Sequence, residues 1–102
     1  MSEVMDFDFA DDDLKRLYVD LGFTAGYSQA IVRAFRKRMQ LVRAAPDERV
    51  FYQLKSLHFE KLKGKRRHQH SIRLNDQFRL IVELVSSKSG RKLRIISIED
   101  YH

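Results

Sequence analysis

The sequence predicts an α+β domain: two N-terminal helices packed on one face of a small antiparallel β-sheet. Three observations carry this reading. Apolar residues recur at helical spacing as far as about residue 54. From His70 onward they alternate with period two. At 102 residues the chain suits one domain, spanning 1–102, with a core large enough to fold alone.

Residues 1–13 read as an acidic arm without apolar periodicity. Asp11-Asp12-Asp13 then supplies an N-cap and favourable negative charge for a helix start. Leu14, Leu17, Tyr18 and Leu21 give that helix one apolar face, and Gly22 is placed to end it through a left-handed residue. Ser28 caps a second helix with Ile31, Phe35, Met39 and Val42 on its apolar side. Arg33, Arg36, Lys37 and Arg43 fall on the other side, and Pro46 closes the segment. Residues 47–54 allow a further turn or two of helix, capped by Asp47.

The segment 57–102 should hold the sheet. Lys61-Leu62-Lys63-Gly64-Lys65-Arg66-Arg67 is too polar for a buried element and reads as a basic loop. His70, Ile72 and Leu74 form one strand; Phe78, Leu80, Val82 and Leu84 form the next. A three-residue loop, Asn75-Asp76-Gln77, pairs Leu74 with Phe78 and Ile72 with Leu80, keeping apolar residues on one face. It also sets Arg73 opposite Arg79, and two facing arginines repel unless an anion lies near. Ser86-Ser87-Lys88-Ser89-Gly90 reads as a second hairpin loop. The final strand would align Ile96 with Val82 and Ile98 with Leu80.

The net charge of +6 conceals an asymmetry. Six acids lie in residues 1–13, leaving 20 basic against 8 acidic groups in the remainder, a balance of +12. Such a surface attracts polyanions, phosphate backbones above all. Cysteine is absent, which excludes disulfides and Cys-based zinc sites. No apolar run is long enough to span a bilayer, and the acidic start is unlike a signal peptide, so a cytoplasmic location is expected.

Chemistry concentrates at Glu99-Asp100-Tyr101-His102, where an apolar strand delivers an acid, a phenol and an imidazole to one place. Cutting RNA through its own 2′-hydroxyl needs a base, an acid for the leaving 5′-oxygen and cations for the developing charge. His58, His102, Asp100 and Tyr101 could meet the first two needs; Lys63, Arg73 and Arg79 could meet the third. Lys65, Arg66 and Arg67 add phosphate contacts from the basic loop. Plainer roles exist for two of these: a hydrogen-bonded structural histidine at 58 and a core-edge plug at Tyr101. His68 and His70 share a face if both are in a strand, yet no ligand spacing supports a metal, and no cofactor is expected.

Leu57-His58, Leu62-Lys63-Gly64, Ser71-Ile72-Arg73, Asn75-Asp76-Gln77-Phe78-Arg79-Leu80 and Glu99-Asp100-Tyr101-His102 together resemble the HigB toxins of the RelE/ParE superfamily. The resemblance covers about residues 14–102. It implies a RelE-like fold and a metal-independent endoribonuclease that cuts translated mRNA in the ribosomal A site. Carried over by position, His58, Asp100, Tyr101 and His102 match the family's active-site cluster, and Lys63 and Arg79 its basic residues. The implied partners are a helix-turn-helix antitoxin of HigA type, the ribosome and mRNA, with operator DNA reached only through the antitoxin. Two other readings share the fold or the charge: a ParE-like gyrase inhibitor without nuclease chemistry, and a basic nucleic-acid-binding module.

Overall fold

The computed structural model describes residues 4–88 and 90–101. In chain order the elements are β1 (Asp6–Phe9), α1 (Asp12–Val19), α2 (Gln29–Ala44), α3 (Arg49–Gln53), β2 (Glu60–Lys61), β3 (Gln69–Arg73), β4 (Phe78–Ser87) and β5 (Gly90–Asp100). Short 3-10 turns at Lys55–Leu57 and Gly64–Arg66 flank β2. The strands form one sheet in the order β1-β5-β4-β3-β2. No helix among the described residues is long and apolar enough to cross a membrane.

The sheet is mixed, which corrects the expectation of antiparallel strands alone. β2 to β5 form an antiparallel run, and β1 lies parallel to β5 with Phe7 beside Leu93 and Phe9 beside Ile95. The acidic arm is therefore partly a strand. Met5, Phe7 and Phe9 alternate with Asp6 and Asp8, so one face meets the core and the other is charged. Asp8 accepts from Arg94 Nε and Nη2 at 3.0 and 3.2 Å and lies 2.8 Å from Lys92 Nζ. Asp8, within an arm whose acids suggested a loose tail, is thus a counter-charge for β5, and those two arginine bonds, foremost, hold its carboxyl below its ordinary pKa.

The helices form where their caps predict. Asp11 Oδ1 accepts the amides of Asp13 and Leu14 at 2.7 and 3.2 Å, and Ser28 Oγ accepts that of Ile31 at 3.3 Å. The second apolar stripe, Ile31, Phe35, Met39 and Val42, is wholly buried. α1 is shorter than its periodicity suggests. It stops at Val19, Asp20 Oδ1 takes the Gly22 amide, and Leu21 is 78% exposed. Arg36, expected on a free basic stripe, instead donates to the carbonyls of Leu17, Asp20 and Phe23. It ties the end of α1 to α2 by satisfying carbonyls that a helix leaves open. α3 follows Pro46, and Asp47 Oδ1 receives the Arg49 amide at 2.9 Å.

The core lies between the helices and one sheet face, built on Leu17, Phe35, Met39, Phe51, Ile72, Leu80, Val82, Leu93 and Ile95. Ile72 pairs with Leu80 and Arg73 with Arg79, the register that the side chains demand. Beyond it the final strand departs from expectation. Ile81 pairs with Ser97 but Val82 pairs with Ile95, so Ile96 is an extra residue bulged from the ladder. Leu80 still meets Ile98. At the second hairpin Ser86 and Ser87 pair with Arg91 and Gly90, so the strands extend into residues that read as loop.

Candidate active site

The β3–β4 hairpin builds the site from its turn outward. Asn75 Oδ1 accepts the amides of Gln77 and Phe78 at 2.9 and 2.7 Å, and Leu74 N donates to Phe78 O at 3.0 Å. This closure of the three-residue loop fixes the register, since a side-chain oxygen here mimics a backbone turn. The main chain after β5 is fastened to the same hairpin: Tyr101 N donates to Gln77 O at 2.6 Å. Gln77 Nε2 donates to Asp100 Oδ2 at 3.0 Å.

Strand alternation then sorts the side chains. Arg73, Arg79 and Glu99 lie in one cross-strand row on the sheet face away from the helices. The Arg79 guanidinium carbon lies 5.1 Å from the Tyr101 ring centroid, a cation–π contact. Asp100 pairs with Phe78, and alternation turns it toward the opposite face from Glu99. The structure therefore brings Arg73, Arg79, Glu99 and Tyr101 together and holds Asp100 at the rim beside Gln77. His102 lies outside the described residues.

Arg79 is electrostatically unusual. Its Nε and Nη1 are buried and have no hydrogen-bond partner among the described residues. Unmade hydrogen bonds of a buried cation are costly, and such groups demand an explanation. Arg73, opposite, is ion-paired with Asp76, whose side chain is 93% exposed. Glu99, the carboxylate nearest in register, is engaged elsewhere. Both its oxygens accept from Arg66, at 2.9 and 2.7 Å, and Ser97 Oγ donates to it at 2.9 Å. The Arg66 bond is the leading cause that lowers the Glu99 pKa.

Arg66 also donates to Gln69 Oε1 at 2.9 Å, so the basic loop lies back across the open face toward Glu99. Lys63, Lys65 and Arg67 are exposed on this loop and enter no ion pair among the described residues. The turn depends on Gly64, whose φ of +67° suits glycine.

His58 ends the first 3-10 turn in the left-handed region, with φ 46° and ψ 53°, and is exposed. Continuing the β2–β3 register by two residues brings it level with Arg73. The other histidines diverge. His70 is buried on the helix side, stacked on Phe59 at 4.5 Å and 3.1 Å from Tyr52 Oη through Nε2. Burial first, then the charges of Lys61 and Arg91, push its pKa down. His68 precedes β3 and faces Glu83 at 3.6 Å, so the two histidines do not share a strand face. The described residues contain no cluster of three metal-ligating side chains.

Two residues escaped the sequence reading. Arg38 of α2 donates to Arg73 O at 2.9 Å, adding a cation whose pKa burial and Arg73 depress. Its place beside the core stripe gave no hint that it reaches the sheet. Glu99 stood in the terminal tetrapeptide, but only the pairing with Arg79 and Arg66 reveals its position.

A family model described as the RelE-like toxin HigB of type II toxin–antitoxin systems matches residues 7–100. Among solved structures, the chain is similar to a YoeB/ParE toxin from Agrobacterium tumefaciens, at TM-score 0.59 and 17% identity, over 96% of this chain and 100% of that one. It is also similar to a chain of the YoeB–YefM complex from Staphylococcus aureus, at TM-score 0.53 and 16% identity, over 96% and 97%. These likenesses show the α+β fold. No curated protein sequence matches the chain.

Proposed function

The chain belongs to the RelE-like HigB toxins of type II toxin–antitoxin systems, and from that premise we propose that it is an endoribonuclease cutting mRNA on the ribosome. The observation that supports this reading is Arg79: a cation with two buried donors that have no partner among the described residues, set between Arg73 and the Tyr101 ring. Phosphate oxygens could accept from those donors, and an unpaired base could stack on the exposed tyrosine.

In this reading the 2′-oxygen attacks the adjacent phosphorus and the 5′-oxygen leaves, giving a 2′,3′-cyclic phosphate or its hydrolysis product. The family's chemistry proceeds without a metal, so side chains must handle both protons. Asp100 or a histidine takes the 2′-hydroxyl proton, and the other histidine, among His58 and His102, protonates the leaving oxygen. Arg79 and Lys63 stabilise the charge that accumulates on the non-bridging oxygens. Arg73, Lys65 and Arg67 hold flanking phosphates. The partner is an antitoxin, proposed as a HigA-type helix-turn-helix protein; the S. aureus neighbour is itself described in complex with YefM.

The test is to add the purified protein to translating ribosomes and map new mRNA 5′ ends. Wild type should cut, and His102→Ala and Asp100→Ala should not, while each variant keeps its circular dichroism spectrum. Intact mRNA alongside DNA breaks in induced cells would instead establish a gyrase poison. Full cleavage by the double variant would remove the proposed site.

A further inference from the structure

Arg79 and Glu99 are direct cross-strand neighbours on the same sheet face, the arrangement that ordinarily yields an ion pair. They form none. Glu99 gives both carboxylate oxygens to Arg66, a residue 33 positions away, and takes a further bond from Ser97. Arg66 is in turn oriented by Gln69, which donates to Glu83 at 3.0 Å. The outcome is one fully occupied carboxylate beside one arginine with two buried donors that have no partner among the described residues.

We propose that Arg66 is a positioning residue that withholds Glu99 from Arg79, so that the Arg79 guanidinium stays open to an RNA phosphate. The inference rests on the nuclease reading for the identity of the anion, and on the pairing geometry for the rest. Its physical content is competition. A bidentate arginine–carboxylate pair is strong and directional, and Glu99 satisfied by Arg66 gains little from Arg79. Freed from Arg66, the same carboxylate, at the directly paired position across the strands, could turn to Arg79. It would occupy a donor that the phosphate needs and set a negative charge at the phosphate position. Arg66, which the sequence suggested as an RNA contact, then serves RNA through Glu99.

This makes an otherwise unexpected genetic prediction: a second lesion repairs the first. Binding of a fully 2′-O-methylated, hence uncleavable, single-stranded oligoribonucleotide is measured by fluorescence anisotropy at low salt, beside ribosome-dependent cleavage. Arg66→Gln should weaken binding about ten-fold or more. Glu99→Gln should bind at least as well as wild type, and the Arg66→Gln/Glu99→Gln double variant should return close to it. A double variant as weak as Arg66→Gln overturns the proposal, because Arg66 then acts on RNA or on the fold directly. Wild-type binding by Arg66→Gln alone also overturns it. Should Arg66→Gln fail to fold, Arg66→Lys serves: a single ammonium holds Glu99 less fully, so its defect should be intermediate and again relieved by Glu99→Gln. The Arg79 Nε–Hε resonance gives a readout independent of cleavage. It should shift on adding the oligonucleotide to wild type, and shift without RNA in Arg66→Gln. If the binding series behaves as expected but wild type cuts no mRNA on ribosomes, the nuclease reading falls and the role of Arg66 stands. If cleavage is intact in every variant, the reverse holds.

Discussion

Replacing Arg79 by methionine should stabilise the protein while removing the RNA binding proposed for it. Methionine retains an unbranched stem that can lie against the Tyr101 ring without polar atoms. The substitution deletes two buried donors that have no partner among the described residues. Relieving unmet hydrogen bonds of this kind is worth about 1–2 kcal/mol in total, allowing for the partial exposure of the side chain. It also ends the repulsion between facing Arg73 and Arg79. Against this stands the cation–π contact with Tyr101, worth about 0.5–1 kcal/mol. The balance is a gain of about 1 kcal/mol, which raises the midpoint of thermal unfolding by roughly 4 °C in a domain of this size. Urea denaturation at pH 7.5 with an unchanged m-value is the appropriate assay, paired with the oligonucleotide titration. A loss of about 1 kcal/mol would refute the reasoning, since it would mean that Arg79 contributes net stability and is not held open for a ligand. Stability gained where function is lost is the expected signature of a site kept unsatisfied for its substrate.

Further outcomes follow from the same structure. Deleting residues 1–10 removes Met5, Phe7 and Phe9 from the core and should cost roughly 3 kcal/mol or more, read as a lower urea midpoint; an unaffected midpoint would mean that β1 is dispensable. Asn75→Ala should destabilise by about 1 kcal/mol through two lost acceptor contacts, and should lower cleavage because this hairpin sets the Arg73–Arg79–Glu99 row. Acidification should weaken the fold in two stages. Because the His70 pKa is lowered by burial, the unfolded chain takes up a proton that the native imidazole refuses as pH drops below about 6.5, so stability falls there. His70→Phe should flatten that part of a stability–pH curve. The contributions of Asp8 and Glu99, whose pKa values are also lowered, persist above the ordinary carboxylate range and are lost as pH falls through their depressed values.

What the sequence made legible was local. Ser28, Asp11 and the α2 stripe specify helices through contacts within a few residues, and the β3–β4 register follows from requiring one apolar face across a short loop. What it concealed depends on distant partners. The alternation Met5-Asp6-Phe7-Asp8-Phe9 is a strand signal, but the aspartates masked it because the counter-charges of Asp8, Lys92 and Arg94, lie more than 80 residues away. Arg36 and Arg38 look like solvated charges on a helix; Arg36 satisfies three carbonyls and Arg38 one, all outside α2. At the site, the arginine row was predictable from hairpin register. The expected pairing of Ile98 with Leu80 likewise sets Glu99 opposite Arg79 and turns Asp100 away; what the sequence concealed is the bulge at Ile96, which pairs Val82 with Ile95 instead.

Ile96 acts as a phase shifter for the end of the chain. With one unpaired residue inserted, Leu93 and Ile95 face the core before it, and Ile98 and Asp100 face that side after it. Deleting Ile96 while preserving the hairpin would remove the bulge and leave the pairs on both sides of it as they are, Val82 with Ile95 and Ile81 with Ser97. Glu99 would still face Arg79, and Asp100 would still face Phe78. A single-codon deletion at this one position should therefore keep the acid that accompanies Arg79, because it restores a regular ladder and does not shift the strand beyond it.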